Sequence, residues 1–380
     1  MRVLYVAPRY HTNQADIIEG WLQHGDEVFF LSQYVGKSED YSCIKPEVIG
    51  YSKLFKVIEC VYVKLLKRKD PYRGDWKLKS GFPPLAKLKK RLKEIKPDVA
   101  IIRERSAYTI VTTMICRYYH IPTILYNQSP VWDKPRTLDW KHKMVWKLVP
   151  EYRITPVLLT GIDFAGLVED KKACWLPFVI KPQLSPLEKR YFAEDNINIL
   201  SIGKFEQRKN HFMLLKVFEK LIVDYSLHLT IVGECSNQFH EKYLEELKGY
   251  INEHHLSEKV TVLVNLSRDK VFDLYRKTDV FVLPSTGEPA AVSHLEAMAF
   301  SIPAVCSTGN GTASYILSEK TGFVFEDQNA DDLELKLKQL LKNRDKIKKM
   351  GSEAYRHVQN QFQFAYYYEG ISEILGKINK

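Results

Sequence analysis

The sequence predicts an α/β protein of two doubly wound, parallel-sheet domains in series. Three observations predict it. Short apolar runs rich in β-branched residues recur at RVLYVAP, EVFFLSQ, PDVAIIR and PTILYNQ, then at INILSIG, HLTIVG, KVTVLV, DVFVLPS and IPAVCS. Helical spacing fills the stretches between them, the rhythm of parallel strands covered on both faces. The length, 380 residues, suits two domains better than one.

Taken in order, RVLYVAP is a buried strand ending in a proline loop, and ADIIEGWLQHG is a helix closed by Gly25. EVFFLSQ, PDVAIIR and PTILYNQ complete the first set of strands, with a helix around residues 106–119. Between the second and third of these runs lie two basic amphipathic segments. YSKLFKVIECVYVKLLKRKD has an apolar stripe of Leu54, Ile58, Val61, Tyr62 and Leu65, with Lys53, Lys56, Lys64, Lys67, Arg68 and Lys69 around it. PLAKLKKRLKEIK repeats the theme at Leu85, Leu88, Leu92 and Ile95. The plainer reading buries both stripes in the first domain; a second gives the basic faces of residues 51–96 to anionic lipid headgroups. WLPFVIKPQLSP, with Pro177, Pro182 and Pro186, is the joint. In the second half, HFMLLKVFEKLIVD, FHEKYLEELKGYINEHH and DKVFDLYRKT are helices between strands. The expected domains are residues 1–180 and 181–362, with a helix at 363–380 packing back on the first.

The net charge of +10 is uneven. Residues 1–180 hold 30 Lys+Arg and 19 Asp+Glu, and residues 51–100 alone hold 15 against 5. Such asymmetry speaks to partners rather than fold. No nucleic-acid motif accompanies it, so a nucleic-acid partner is not expected. The six cysteines are scattered with no CxxC pair, which argues against zinc and fits a reducing compartment. The N-terminal apolar run is too short for a signal peptide, and no stretch nears eighteen uninterrupted apolar residues. The expected location is cytoplasmic, with a peripheral place at the inner face of the cell membrane open to it.

Ligands of open parallel sheets bind beyond the carboxyl ends of the strands, and two motifs lie there. GEPAAVSHLEAMA follows DVFVLPS and carries Glu288 and Glu296 with seven residues between. Pro289 suits a first helical turn, so a helix is expected from about 290 to 299. Its N–H groups would favour an anion, and the small Ala290 and Ala291 would admit a ligand close to the backbone. The two glutamates would then lie roughly 12 Å apart at about 1.5 Å per residue, a span suited to a nucleoside diphosphate sugar. SIGKFEQRKNH follows another strand and crowds Lys204, Arg208 and Lys209 just after Gly203. Cations there could hold a diphosphate and balance charge on a leaving group; the bland alternative is a solvated basic loop. GNGTAS, at 309–314, is a near miss for a dinucleotide fingerprint and is read as a loop in which Gly309 or Gly311 serves a tight turn. His254 and His255 are adjacent, a poor arrangement for a metal.

The chain resembles the family 4 retaining glycosyltransferases of the GT-B fold (glycosyl transferases group 1). The resemblance rests on GKFEQRKNHFMLLKVF, LTIVG, LYRKTDVFVLPS, GEPAAVSHLEAMAFSIPAV and TGFVFED in the family's order, over about residues 197–330. It implies two Rossmann-like domains facing across a cleft, with the acceptor on the first, the nucleotide-sugar donor on the second, and closure excluding water. It implies that Glu288 touches the donor sugar, Glu296 the ribose and Lys209 the diphosphate. Lys204 stands where the family more often has arginine, keeping the charge without the bidentate fork. By the same resemblance, N–H groups at Val292 and Ser293 meet the distal phosphate and Ala291 lies beside them. Val264 and Asn265 fall where the base is held, without the family's usual glycine.

The first half departs from the family's glycine-rich loop: APRYHTNQ stands there, putting His11, Thr12 and Asn13 at a strand end. RERS places Arg103, Glu104 and Arg105, and YNQS places Asn127 and Gln128, at two more. Asn13, Arg105, Asn127 and Gln128 are the acceptor-side candidates, and His11 joins Glu288, Lys209 and Lys204 as a catalytic candidate. The implied activity is metal-independent retaining transfer of a hexose (a hexosyltransferase of the EC 2.4 class) from a UDP- or GDP-sugar to a glycan or lipid-linked acceptor. No DxD motif occurs and no cofactor is expected beyond that co-substrate. The alternatives are a nucleotide-sugar epimerase on the same fold and a non-catalytic binding protein.

Overall fold

The computed structural model describes residues 1–11, 14–36, 39–66, 73–104, 106–133, 147–159, 165–193 and 195–379. Its contacts divide it into two units: Met1–Pro156 with Gly161–Val179 and Phe364–Lys380, and Val157–Thr160 with Ile180–Gln363.

The first unit is built from β1 (Arg2–Ala7), α1 (Ala15–Gln23), β2 (Glu27–Ser32), β3 (Glu47–Val48), α2 (Lys53–Leu66), α3 (Arg73–Ser80), α4 (Leu85–Ile95), β4 (Val99–Arg103), α5 (Ala107–Tyr118), β5 (Thr123–Tyr126), β6 (Trp132–Asp133), β7 (Tyr152–Thr155), β8 (Val168–Glu169) and β9 (Ala173–Trp175). Seven strands form a parallel sheet in the order β3-β2-β1-β4-β5-β7-β9, while β6 and β8 pair separately and antiparallel. Alternation along β1 shows why both faces are covered: Val3 and Tyr5 belong to one core with Trp21, Ile371 and Ile374, and Leu4 and Val6 to another with Leu88, Leu92 and Ile95. The helix Phe364–Ile378 packs on the first face, where Trp21 meets Phe364 and Tyr368 edge-on at 5.1 and 5.5 Å.

Burial tests the first of the two readings of the basic amphipathic segments. On α4, Leu88, Leu92 and Ile95 are core and only Leu85 is exposed. On α2 the expectation fails. Leu54, Ile58 and Val61 are exposed; of that stripe Tyr62 does pack, and it is joined by Phe55 from outside the stripe, both stacked on Trp76. Aromatic pairing with α3 outcompetes the aliphatic row for the inward face. Lys67, Arg68 and Lys69, and the side chains of Lys64 and Leu65, lie outside the described residues.

The second unit runs β10 (Ile197–Ile202), α6 (His211–Leu221), β11 (Leu227–Gly233), α7 (Gln238–Glu253), β12 (Val260–Val264), α8 (Arg268–Lys277), β13 (Val280–Leu283), α9 (Ser293–Ala299), β14 (Ala304–Ser307), β15 (Gly322–Phe325), α10 (Ala330–Leu341) and α11 (Arg344–Gln361). Its six parallel strands are ordered β12-β11-β10-β13-β14-β15. Strand order therefore reverses at β10 and β13, the position where such sheets leave a crevice at their carboxyl ends. Among the described residues, no helix is long and apolar enough to cross a membrane.

Candidate functional site

The loops after β10 and β13 meet at that reversal. A single turn of 3₁₀ helix, Gln207–Lys209, follows β10, and Asn210 in the left-handed region (φ 53°) turns the chain into α6. This folds Lys209 inward. Its stem runs over Gly203, where a Cβ would sit 2.9 Å from the lysine Cδ, so Gly203 makes room for the side chain. Gly287 (φ 56°) turns the other loop, and Glu288 pairs in a parallel bridge with Asn310.

Lys209 Nζ and Arg208 Nη1 both donate to Glu288 Oε2. Lys209 and Glu288 are buried, whereas Arg208 is more open and also reaches Glu206 at 2.7 Å. Burial pushes the Glu288 carboxyl up, but the two cations outweigh it and the group ends below its ordinary value. Burial is the larger influence on Lys209 and draws its ammonium down against the pull of Glu288. Two positive groups thus converge on one carboxylate oxygen, where an anionic ligand would compete for them. Lys204 lies outside this cluster: half-exposed, it pairs with Glu234 at 3.3 Å.

The expected helix at 290–299 is shorter than its sequence suggested. It begins at Ser293, and Pro289 precedes it rather than opening its first turn. Glu288 N–H donates to Gly309 at 3.0 Å, Gly311 N–H to Glu288 at 2.9 Å, and Ala291 N–H to Asn310 Oδ1 at 3.3 Å. These bonds hold residues 288–292 against the 309–311 loop, so a helical spacing between Glu288 and Glu296 does not apply. Ala291 is buried with its N–H taken, while Val292 and Ser293 are half-buried at the helix start. Glu296 accepts from the Tyr275 hydroxyl at 3.0 Å, which also donates to Ser293 O at 3.0 Å. The buried Tyr275 phenol is held well above its ordinary value by desolvation and then by Glu296, so it stays a donor.

Gly309 and Gly311 lie in turns, closed by Asn310 N–H to Ser307 O at 3.2 Å and by Ala313 N–H to Asn310 O at 3.0 Å, and neither has positive φ. They permit close approach: a Cβ on Gly311 would fall 2.0 Å from Pro289 O, and one on Gly309 2.5 Å from the Asp327 carboxyl. Sequence reasoning missed three further residues here. Buried Asn310 also accepts from Thr312, Asp327 accepts from Thr286 at 2.7 Å, and buried His294 bonds Thr312 O at 3.1 Å with its ring pushed down to about 4 by burial. The glycines of GNGTAS were the available signal for Asn310; His294 and Asp327 lie inside GEPAAVSHLEAMAFSIPAV and TGFVFED, but no spacing singled them out.

At the end of β12, Val264 is half-buried and Asn265 is exposed at φ 53°. The Asn265 side chain accepts from Cys235 N–H at 2.8 Å and donates to Cys235 O at 2.9 Å, pinning the loops after β11 and β12 together. The left-handed conformation explains why glycine is at home at such a position. In the first unit, exposed His11 lies 3.5 Å from Glu39, Arg103 donates to Gln128 at 3.0 Å, and Asn127 donates to Glu104. Asn13, Thr12 and Arg105 lie outside the described residues. His254 stacks on Tyr250 and pairs with Glu219 at 2.9 Å. Among the described residues no three His, Cys, Asp or Glu side chains gather as a metal site.

Comparison with known proteins bears on this site. Residues 187–357 match the family described as glycosyl transferases group 1. An uncharacterized glycosyltransferase of Methanocaldococcus jannaschii is 30% identical over 140 residues, 37% of this chain and 34% of its own. A sulfoquinovosyl transferase of Arabidopsis thaliana is 21% identical over 352 residues, 87% of this chain and 63% of its own. The chain thus spans from a third to under two thirds of the length of these relatives. The crystal structure of Anabaena HepE with UDP superposes with a TM-score of 0.72 at 14% identity, covering 99% of this chain and 100% of that one. The chain has the GT-B fold, and the residues that match glycosyl transferases group 1 lie in its second unit.

Proposed function

We propose that the protein is a retaining hexosyltransferase of the family 4 type. It would move a sugar from a UDP- or GDP-hexose to a hydroxyl of a glycan or lipid-linked acceptor in cell-surface glycan synthesis. The observation that carries this reading is the convergence of Lys209 and Arg208 on Glu288 at the strand-order reversal, inside the matched family region. UDP in the HepE structure and the transferase names of the relatives point the same way.

On this reading the donor diphosphate replaces the Glu288 carboxylate as partner of the cations. Lys209 and Arg208 then neutralise charge building on the departing phosphate as the sugar becomes oxocarbenium-like, and no metal is needed. Glu288, released, hydrogen-bonds the sugar hydroxyls, while Glu296, braced by Tyr275, takes the ribose. Lys204 adds a longer-range positive charge, and Val292 and Ser293 offer N–H groups to the distal phosphate. Val264 and Asn265 border the base. His11, Asn13, Arg105, Asn127 and Gln128 are the first unit's candidates for the acceptor side, and the enzyme works in the cytoplasm against the membrane surface.

Incubation with UDP- and GDP-hexoses, extracted membrane glycolipid and EDTA tests this, with the product anomer read by NMR. Transfer with the donor's anomeric configuration is expected. Inverted product, a requirement for divalent metal, or epimer without transfer would each overturn the corresponding part.

A further inference from the structure

We infer that α2 is a membrane-docking helix: Leu54, Val57, Ile58 and Val61 insert among the acyl chains at an anionic bilayer surface while Lys53, beside that row, meets the headgroups. The inference deepens the membrane-surface part of the proposed function and rests on it.

The four side chains are 63%, 59%, 42% and 47% exposed. Their spacing of i, i+3, i+4, i+7 puts them in one row along the helix. The adjoining side of α2, about a quarter turn round at about 100° per residue, is occupied, since Phe55 is buried and Tyr62 stacks on Trp76 at 4.1 Å. The row is therefore not left over from a helix lacking a core face; α2 has an inward aromatic face and a second, outward apolar one. Lys53 and Lys56 are exposed, and Lys53 flanks the row one turn before Val57.

Charge selects the occupant. The one carboxylate of α2, Glu59, is turned to Lys77 at 3.2 Å, so no acid interrupts the outward face. Lys64, Lys67, Arg68 and Lys69 extend the basic run in sequence, within a segment holding 15 basic and 5 acidic residues over 51–100. An apolar row with a lysine beside it, in a segment of strong positive charge, is the pattern of a helix lying in the plane of an anionic interface. An anionic headgroup layer satisfies both halves of that pattern at once.

The test uses the full chain and needs neither donor nor acceptor, so its failure is separate from failure of the transferase reading. Sedimentation with phosphatidylcholine vesicles, with and without about a third phosphatidylglycerol, should show binding only to the anionic vesicles. L54Q/I58Q/V61Q should bind at least about tenfold more weakly, because losing one buried side chain of this size is worth about a factor of ten. Its thermal midpoint should match the parent. V57W should show blue-shifted emission on anionic vesicles that brominated lipid quenches. Three results would overturn the inference: no vesicle binding, undiminished binding by the triple variant, or a lipid-free dimer that the triple variant dissolves.

Discussion

Glu288 is the residue on which the site turns, because one of its oxygens accepts from both Lys209 and Arg208. Its folded acidity has a consequence for stability. A carboxyl held below its ordinary value of 4.5 contributes fully above that pH, and its contribution is lost as pH falls through the lower folded value. K209M removes a cation from the pair and raises the folded value, so acid-side loss of stability should begin at higher pH than in the parent. Urea midpoints between about pH 3 and pH 6 read this, and a tenfold change in the proton affinity of the carboxylate corresponds to about 1.4 kcal/mol. In catalysis, K209A should lower kcat/KM by about 10²–10³, the usual cost of one donor to developing charge. At this scale the sequence showed the residue types: Lys209, Glu288 and Glu296 stood out by motif and strand-end position. It could not show that Asn265 spends its side chain on Cys235, because which polar group a loop residue meets depends on a distant loop.

At the scale of elements, two glycines of the site should behave oppositely. A Cβ on Gly203 meets the flexible Lys209 stem, whereas one on Gly311 meets the backbone carbonyl of Pro289. G203A should therefore weaken donor binding with little change in stability. G311A should destabilise by about 1–3 kcal/mol, the usual cost of overpacking, as measured by urea denaturation. Equal stability losses in the two would contradict this distinction. The segment 288–292 shows where local signals mislead. Pro289 and two alanines read as a helix start, but pairing with residues 309–311 captures the backbone N–H groups first. The strands β1, β4, β10, β11, β13 and β14 were legible because their apolar runs are largely buried. β7 and β9 went unread because YRIT and ACW are only four and three residues long, with Arg153 interrupting the first. The stripe of Leu54, Ile58 and Val61 on α2 was legible but its exposure was not, because periodicity reveals a stripe and not whether it finds a partner.

At the scale of the whole molecule, the chain leaves the first unit, builds the second and returns with its last helix. Trp21 is buried between that helix and the first sheet, donating to Tyr5 at 2.9 Å, and Ile371 and Ile374 are buried beside it. I374A should cost about 2–5 kcal/mol, and the loss should fall on unfolding of the first unit while the second keeps its own transition. Proteolysis-resistant fragments followed through denaturation would show which unit is lost first. The order of elements and the doubly wound class were legible because strand–helix alternation repeats twice along the chain. The central measurement is calorimetric titration of the protein with UDP, GDP, ADP and their hexose conjugates in EDTA, for the parent and for K209A. Saturable binding of one nucleoside diphosphate sugar without metal, lost or weakened at least about tenfold in K209A, is the predicted result. Binding that K209A leaves unchanged, or no binding of any nucleotide, would contradict a diphosphate site at Lys209, Arg208 and Glu288.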